Sequence, residues 1–526
     1  MQIPSSSGTR PRLSVAMIVR DEARTLDTAI GSVRTIADEI VVLDTGSTDR
    51  TVEIAEAAGA TVHHAGWNDD FAAARNACLQ HVRGEWVLWL DGSERLEDAS
   101  AESLRRFVDD EVDPDKLYMV MVEIPPLDPA GSAEQAARVR LMPNDPGLRF
   151  AGRLRESVRG AAEKAGMEID MAPGRIIRHA LQHDPRRRAA KARRDLELTA
   201  IEERQSGRLD PGLLIARGDA YANLDSPEPA RAAYLAAIAS AARGSTEMLD
   251  AYYGLLPTFD HDPAHRQQQL KTCLQALEVY PLDSQLLFAV GNYTQMQNRI
   301  DLARRSFEAA AQFGQVDLET WHLKELAEVV AVCLSVVQQL EGADDDARAT
   351  LVAAVHRHPG SERLRRHLLD LHVRHGREAN ALELAERLSL APDQRGPFCD
   401  AVRGACRAAV QEWTAALGYL QAAYVGGCRD SICMRWLVVT LMSNAQFEAA
   451  RPVLAEWAEL EPNSAELRSF LAALESKAAM AEPAEPDRQF RFDLPDDSIT
   501  VAPAHRSGAD ARDHPESVPS DSDRTR

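Results

Sequence analysis

Three acidic clusters near the N-terminus have residue types and spacing that suit ligand chemistry. They are Arg20-Asp21-Glu22, the run 44–51 (DTGSTDRT) and the tetrad Asp91-Gly92-Ser93-Glu94, and each follows a short apolar run. In open α/β sheets, ligands bind where the carboxyl ends of the strands meet. One acidic strand end says little, because aspartate also caps helices. Three of them at successive strand ends therefore predict a ligand site at this edge.

The segments that would hold these clusters alternate between the hydrophobic periodicity of strands and that of helices. Short β-rich runs at 13–19, 39–43, 60–63 and 86–90 predict strands, and the stretches from Asp21, over 51–58 and over 71–82 predict helices. This alternation predicts right-handed βαβ crossovers. Near-continuous apolar strands such as IVVL are typical of a largely parallel sheet that is buried on both faces.

After about Asp210 the strand pattern gives way to a repeat. Small and larger residues recur at offsets 0, +12, +16 and +19 in five copies, which start at Gly218, Gly291, Leu369, Gly404 and Val438. The small residues let two helices approach closely, and the larger ones fill the groove to the next pair. The alternative is a generic alanine-rich bundle, and either arrangement is all-α and carries no chemistry.

The composition argues against several classes of protein. The formal net charge of −21 is unsuited to general nucleic-acid binding, which needs a cationic face. Seven scattered cysteines without a CxxC pair indicate reduced thiols rather than disulfides or a zinc site. The residues before the first strand contain no apolar h-region, so we expect no secretory signal, and no apolar run reaches the roughly 20 residues of a membrane span. We therefore expect the chain in the cytoplasm, or bound peripherally to the inner face of the membrane.

The polar clusters and their flanks resemble the family 2 glycosyltransferases of the GT-A fold. The segments MIVRDEARTL, DEIVVLDTGSTDRTVEIAEAAGA, WNDDFAAARNACL and GEWVLWLDGSERL carry the resemblance. RVRLMPNDPGLRFAGRLRES and IIRHALQHDPRRRAAKARRDLEL extend it to about Leu198. The similarity is strongest to a bacterial branch whose members often carry tetratricopeptide repeats, which the helical repeat here also resembles.

This resemblance implies an inverting transferase that moves a sugar from a nucleotide-sugar donor, by family habit a UDP-sugar. The implied acceptor is a glycan, a lipid-linked glycan or a protein. The implied nucleotide-sugar-binding residues are Glu22, Asp44, Thr45, Arg75, Asn76 and Asp91. The guanidinium of Arg75 would suit a phosphate because its fork donates two hydrogen bonds, although a surface arginine is the alternative. Asp49 either contributes to the site or caps the following helix.

The resemblance also implies a divalent cation, Mn or Mg, with Asp91, Glu94 and His179 as ligands. The family has Asp-x-Asp where this chain has Asp91-Gly92-Ser93, so a hydroxyl replaces the second carboxylate. Either Glu94 substitutes through its longer side chain, or the metal is bound poorly, or it is not bound at all. A lone histidine such as His179 is also often a structural hydrogen-bonding residue.

An inverting transfer needs a carboxylate base near the acceptor hydroxyl. The family's Gly-Arg-x-His-Glu stretch is Gly152-Arg153-Leu154-Arg155-Glu156 here, which makes Glu156 the candidate base. Arg155 replaces the histidine and can neither coordinate a metal nor accept a proton. The altered residues Ser93 and Arg155 favour a competing hypothesis, a catalytically degenerate glycosyltransferase fold that acts as a binding scaffold.

The predicted fold is thus an α/β GT-A domain, Rossmann-like with a mainly parallel sheet, followed by an all-α tetratricopeptide-like solenoid. The predicted segments are a disordered N-terminus (1–12), the GT-A domain (13–185), a basic helical connector (186–209), the repeats (210–477) and a disordered acidic, proline-rich tail (478–526). The tail has too few large apolar residues to offset its chain entropy. We expect the repeats to bind a protein partner or to mediate self-association.

Overall fold

The computed structural model describes residues 10–127, 131–260, 263–461 and 465–478. They form two compact units: one contains the chain up to Pro281 and the segment Val316–Lys324, and the other contains Leu282–Gln315 and the chain from Glu325. Within these ranges, no helix is both long and apolar enough to cross a bilayer. The predicted disordered segments lie outside the described residues except for 10–12 and 478, and the predicted domain bounds remain predictions.

The strands described in the first unit belong to one sheet. They are β1 (Leu13–Val19), β2 (Glu39–Asp44), β3 (Thr61–His64), β4 (Trp86–Trp89), β5 (Glu94–Leu96), β6 (Lys116–Ile124), β7 (Glu134–Pro143), β8 (Glu168–Arg178) and β9 (His322–Leu323). Their order is β3-β2-β1-β4-β7-β6-β8-β5, and β9 pairs with β7.

The first four strands are parallel, as the sequence predicts. β1 lies between β2 and β4, with Val15 opposite both Ile40 and Leu88. Val15 and Leu88 are fully buried, which fits strands covered on both faces. The carboxyl ends of β1, β2 and β4 therefore lie at one edge of the sheet. β7 pairs with β4 in the antiparallel direction and continues the sheet beyond the four parallel strands.

Ten α-helices are described in the first unit. They are α1 (Leu26–Val33), α2 (Thr51–Ala57), α3 (Phe71–Leu79), α4 (Asp98–Asp110), α5 (Arg159–Ala165), α6 (Pro185–Ser206), α7 (Pro211–Asn223), α8 (Pro227–Ser240), α9 (Thr246–Leu255) and α10 (Arg266–Leu277). Asp70 caps α3 by accepting a hydrogen bond from the Ala73 amide at 2.8 Å. Asp184 caps α6 in the same way, and a proline at its first position suits the helix start.

One strand of the sheet comes from the region predicted to be entirely helical. β9 pairs antiparallel with the start of β7, where His322 lies opposite Gln135. Lys324 Nζ adds an ion pair with Glu123 at 2.9 Å. The prediction that strands end before Asp210 is therefore wrong for this segment, because two residues are too few to show a period of two.

The described part of the second unit is built from helices. They are α11 (Ser284–Met296), α12 (Ile300–Phe313), α13 (Leu326–Leu340), α14 (Asp344–Arg357), α15 (Glu362–Arg374), α16 (Glu378–Glu386), α17 (Pro392–Ala409), α18 (Trp413–Val425), α19 (Ser431–Ser443), α20 (Phe447–Leu460) and α21 (Ala465–Ala478). Consecutive helices pack on each other. Template residues such as Ala303, Phe307, Ala416 and Leu420 are fully buried, which confirms the tetratricopeptide-like pattern.

Gly291 on α11 offers a test of this packing. A Cβ at this position would lie 2.3 Å from Cε1 of Phe307 on α12. We expect Gly291→Ala to lower the free energy of unfolding by about 1–3 kcal/mol, because overpacking forces neighbouring atoms apart. Gly418→Ala on α18 is the matched control, since a Cβ there meets nothing within 4 Å. Urea unfolding of both variants measures the difference, and equal destabilisation would contradict the packing role.

Candidate active site

The loop after β2 is shaped by its own first carboxylate. Asp44 is buried and accepts hydrogen bonds from the backbone amides of Gly46 and Ser47, each at 3.1 Å. Gly46 has a φ of 103°, which favours glycine. The hydroxyl of Thr45 donates to the carbonyl oxygen of Val19 at 3.1 Å and joins this loop to β1. Asp44 and Thr45, both predicted to bind the nucleotide sugar, thus lie on a turn that hydrogen bonds hold in place.

Hydrogen bonds connect the loop after β1 to the same turn. Asp21 accepts from the amide of Thr48 at 2.7 Å, and its own amide donates to Ser47 Oγ at 3.0 Å. Asp49 accepts from the amides of Ala23 and Thr51, at 3.1 and 3.0 Å. Asp49 therefore connects the loops after β1 and β2 to the first residue of α2. These contacts agree with a structural role at the start of that helix rather than a ligand-binding one.

Glu22 lies where the ends of β1 and β4 meet. Its Oε2 forms an ion pair with Arg187 of α6 at 2.9 Å and accepts from the hydroxyl of Thr25 at 3.0 Å. Gly92 packs directly against it, because a Cβ at Gly92 would lie 3.1 Å from Glu22 Cγ. A side chain at position 92 would therefore press on the side chain of Glu22.

Asp91 is placed between two buried guanidinium groups. Its Oδ1 is 3.3 Å from Arg75 Nη2, and its Oδ2 is 3.4 Å from Arg140 Nη2. Burial would raise the pKa of Asp91, but the charges of Arg140, Arg75 and Arg178 outweigh it and hold that pKa well below its usual range. About a third of the side chain (36%) remains exposed, so Asp91 is both ionised and accessible.

Glu94 is almost completely buried, with 1% of its side chain exposed. Its Oε1 lies 2.7 Å from Arg140 Nη2 and 3.2 Å from Arg178 Nε, and its Oε2 accepts from the Asp91 amide at 3.2 Å. Burial would lower the pKa of Arg140, but Glu94 and Asp91 together raise it above its usual value. Glu94 therefore holds Arg140, Arg178 and the backbone at Asp91 in place, and its buried side chain is not accessible to a ligand.

Arg75 links Asp91 to the predicted base. Its Nε donates to Glu156 Oε1 at 2.6 Å, and its guanidinium carbon lies 4.7 Å from the ring centre of Trp89 and 5.4 Å from that of Phe150. Burial would lower the pKa of Arg75, but Glu156 and Asp91 raise it. The two ion pairs and two aromatic contacts hold the guanidinium in one orientation.

The loop that carries Glu156 is closed by a short backbone pair. Ala151 and Ser157 exchange both amide–carbonyl hydrogen bonds at 2.9 Å. Within it, Gly152 has a φ of 101° and Arg155 a φ of 56°, the latter uncommon for a residue with a side chain. Arg155 points to α9, where its Nη2 forms an ion pair with Asp250 at 2.7 Å.

Two predicted site residues have local structural partners. The side-chain amide of Asn76 donates to the carbonyl oxygen of Phe150 at 2.9 Å and accepts from its amide at the same distance. His179 is exposed, its Nδ1 accepts from the Leu181 amide at 3.1 Å, and its backbone amide donates to the Ser93 carbonyl at 2.8 Å. Asn76 thus fixes the backbone at Phe150, whose ring contacts Arg75, and His179 lies beside the tetrad after β4.

The predicted cation ligands do not form a metal-binding set. Among the described residues, no group of three or more His, Cys, Asp or Glu side chains is arranged to hold an ion. Asp91 faces two guanidinium groups and Glu94 is buried against two. Ser93 offers only a hydroxyl at the position of the family's second carboxylate, so these residues do not fit a divalent cation.

The motifs in the sequence assign no role to three arginines at the site: Arg140, Arg178 and Arg187. The guanidinium carbons of Arg138 and Arg178 also lie 5.0 and 5.1 Å from the ring centre of Trp321. Burial lowers the pKa of Arg138 to about 10. An arginine between the apolar residues Val139 and Leu141 of β7 is the one signal that could have indicated Arg140, since buried charges need partners.

Comparison with known proteins agrees with this architecture. The model of the family described as Glycosyl transferase family 2 matches residues 14–121. A TPR repeat-containing protein of Synechococcus elongatus is 34% identical over 222 residues, which cover 40% of this chain and 53% of that protein. An uncharacterized glycosyltransferase of Rickettsia bellii is 36% identical over 85 residues, 16% of this chain and 29% of that protein.

Among solved structures, glucosyl-3-phosphoglycerate synthase of Mycobacterium tuberculosis with Mn²⁺, UDP and glucosyl-3-phosphoglycerate is 23% identical. That match covers 22% of this chain and 44% of the synthase, with a TM-score of 0.18. The chain spans about half the length of the first curated relative and less than a third of the second. Residues 14–121 are thus similar to the family 2 glycosyltransferases, and a tetratricopeptide-like helical region follows them.

Proposed function

We propose that this chain is an inverting glycosyltransferase that moves a sugar from a UDP-sugar to an acceptor hydroxyl. The acceptor belongs to a glycan, a lipid-linked glycan or a protein. The observation that carries the proposal is the bridge made by Arg75, which contacts Asp91 through Nη2 and Glu156 through Nε. This bridge brings the residue expected at the diphosphate next to the residue expected at the acceptor.

The nucleoside part of the donor is assigned to the turn after β2 and the loop after β1. Asp44, Thr45 and Glu22 belong to these loops, which are tied together by side-chain-to-backbone hydrogen bonds. A loop fixed before ligand arrives loses little entropy when it binds. In the same proposal, Asn76 acts through Phe150 and supports the diphosphate side.

In the proposed reaction, the acceptor oxygen attacks the anomeric carbon from the face opposite the diphosphate. The carbon–oxygen bond to the diphosphate breaks, and its electron pair stays on the departing oxygen. The acceptor proton passes to the carboxylate of Glu156, whose Oε2 is not engaged by Arg75. No step is assigned to a divalent cation, because the residues at the site do not fit one.

The competing function, a scaffold that has lost catalysis, is favoured by the ion pairs that occupy Asp91 and Glu94. A solenoid of helix pairs commonly offers a surface for proteins. We propose that the repeats bind the acceptor, bind another protein or self-associate in either case. Only turnover of a donor separates the two functions.

The test is a screen of UDP-, GDP- and dTDP-sugars for release of the nucleoside diphosphate by the full chain. Water can serve as a slow acceptor, so the screen needs no knowledge of the natural one. We expect release from at least one UDP-sugar, and we expect Asp91→Ala to lower it by about 100-fold or more, because the guanidinium groups of Arg75 and Arg140 would lose the carboxylate that positions them to stabilise transition-state charge.

Asp27→Ala is the matched control, because Asp27 is an exposed carboxylate on α1 outside the site. Its release rate should equal that of the unmodified chain. If no donor is turned over while UDP still binds, the scaffold function replaces the enzymatic one.

A further inference from the structure

The charges around Asp91 balance within the protein itself. Three carboxylates, Asp91, Glu94 and Glu156, are joined by ion pairs to three guanidinium groups, those of Arg75, Arg140 and Arg178. Each contact is 3.4 Å or shorter. The site therefore has no surplus of negative charge that would attract a divalent cation before the donor arrives.

A cation beside Asp91 would also meet unfavourable neighbours. Magnesium and manganese are usually held by one or two carboxylates together with the phosphates of the substrate. Here both oxygens of the accessible carboxylate, on Asp91, already face guanidinium groups. Ion binding would require the separation of these pairs and would place a double positive charge within a few ångströms of two others.

Arginine is chemically suited to the task that the cation would perform. Its planar fork donates two parallel hydrogen bonds to phosphate oxygens and stays charged at every pH of interest. Arg75 is already held by Trp89 and Phe150, and Arg178 lies against Trp321 with 28% of its side chain exposed. Donors that are oriented before the reaction stabilise developing charge without reorganisation.

We propose that the diphosphate of the donor is bound by the guanidinium groups around Asp91 and that no divalent cation takes part. Asp91 then acts as a positioning residue, which holds the guanidinium groups of Arg75 and Arg140 apart at the correct spacing. When the diphosphate enters, its oxygens share these donors and reach Arg178 at the more exposed side. This inference rests on the proposed nucleotide site and gives it a specific chemistry.

Calorimetry of UDP binding to the full chain tests the inference, once with EDTA and once with MnCl₂. We expect the two dissociation constants to agree within about twofold, since the charge partners belong to the protein. Binding that is lost in EDTA, or that tightens about tenfold or more with Mn²⁺, would overturn the inference and leave the proposed transferase standing. Absence of UDP binding under both conditions would remove the inference and the nucleotide site together.

Ser93 allows a gain-of-function version of the same test. Ser93→Asp restores a second carboxylate beside Asp91, so Mn²⁺ should now tighten UDP binding by about tenfold. Ser93→Ala is its control and should bind UDP in EDTA as the unmodified chain does. If Mn²⁺ tightens UDP binding to Ser93→Ala about tenfold as well, a cation binds without a second carboxylate at position 93 and the inference is wrong.

Arg178→Gln tests the guanidinium contribution directly. Glu94 keeps its bond to Arg140 in this variant, so we expect the fold to persist, with a melting temperature close to that of the unmodified chain. The affinity for UDP in EDTA should fall by about tenfold, the loss expected for one charge-assisted hydrogen bond. Unchanged affinity would overturn the role of Arg178.

Discussion

Glu156→Gln should abolish most sugar transfer while the chain remains folded and still binds UDP. Glutamine has nearly the same shape and can accept the hydrogen bond from Arg75 Nε, but it cannot take a proton from the acceptor. General-base catalysis contributes about 10²- to 10⁴-fold, so we expect the rate of donor turnover to fall by that factor. The measurement is release of UDP at saturating donor.

Two further measurements separate a catalytic role from a structural one. Glu163→Gln, an exposed glutamate on α5, should leave turnover unchanged. The dissociation constant of UDP should change less than about threefold in Glu156→Gln, because a base that acts on the acceptor contributes to the transition state and little to the ground state. A variant that keeps more than half of the activity would show that another group takes the proton.

Arg140→Met should destabilise the first unit far more than the loss of an exposed arginine does. The guanidinium is buried and is paired with Glu94, whose side chain is also buried. Removal of one partner of a buried pair costs about 3–5 kcal/mol, and the remaining bond from Arg178 should keep the loss near 3 kcal/mol. Urea unfolding followed by tryptophan fluorescence measures it, since Trp86 and Trp89 lie on β4.

A double variant tests the cause of this loss. If the penalty comes from the uncompensated charge of Glu94, Arg140→Met with Glu94→Gln should recover a large part of the stability. Arg50→Met is the surface control, because 79% of that side chain is exposed and its ion pair with Glu53 contributes less than about 1 kcal/mol. A double variant no more stable than Arg140→Met alone would point to lost packing instead.

The sequence predicts the parallel half of the sheet well because burial on both faces leaves unbroken apolar runs. Strands β1 and β2 begin where the apolar runs begin, at Leu13 and Glu39. The repeats are equally readable, since Gly291 and Phe307 must have their sizes for two helices to touch. β9 shows the opposite case. It pairs through residues 187 positions apart in the chain, and nothing local in HL marks it as a strand.

The sequence predicts which residue types belong to the site, but it does not predict which carboxylate forms an ion pair with which arginine. The motifs locate Asp91, Arg75 and Glu156 by their positions after strands and on a helix. Which carboxylate meets which guanidinium depends on approaches between distant segments: Arg75 and Glu156 are 81 residues apart, and Glu94 and Arg140 are 46 apart. The expected role of Glu94 as a metal ligand overlooked these arginines, because local sequence does not show what covers a side chain.

The strand β9 affects how the first unit can be isolated. The first unit is not one continuous stretch of chain, since Val316–Lys324 belongs to it although Leu282–Gln315 does not. A shortened polypeptide that stops at Pro281 would lose β9 and expose the side of β7 that β9 covers, while the pairing of β7 with β6 would remain. Such a bare strand edge invites pairing between molecules. An expression fragment of the first unit therefore has to retain residues 316–324 or replace them with another cover for that edge.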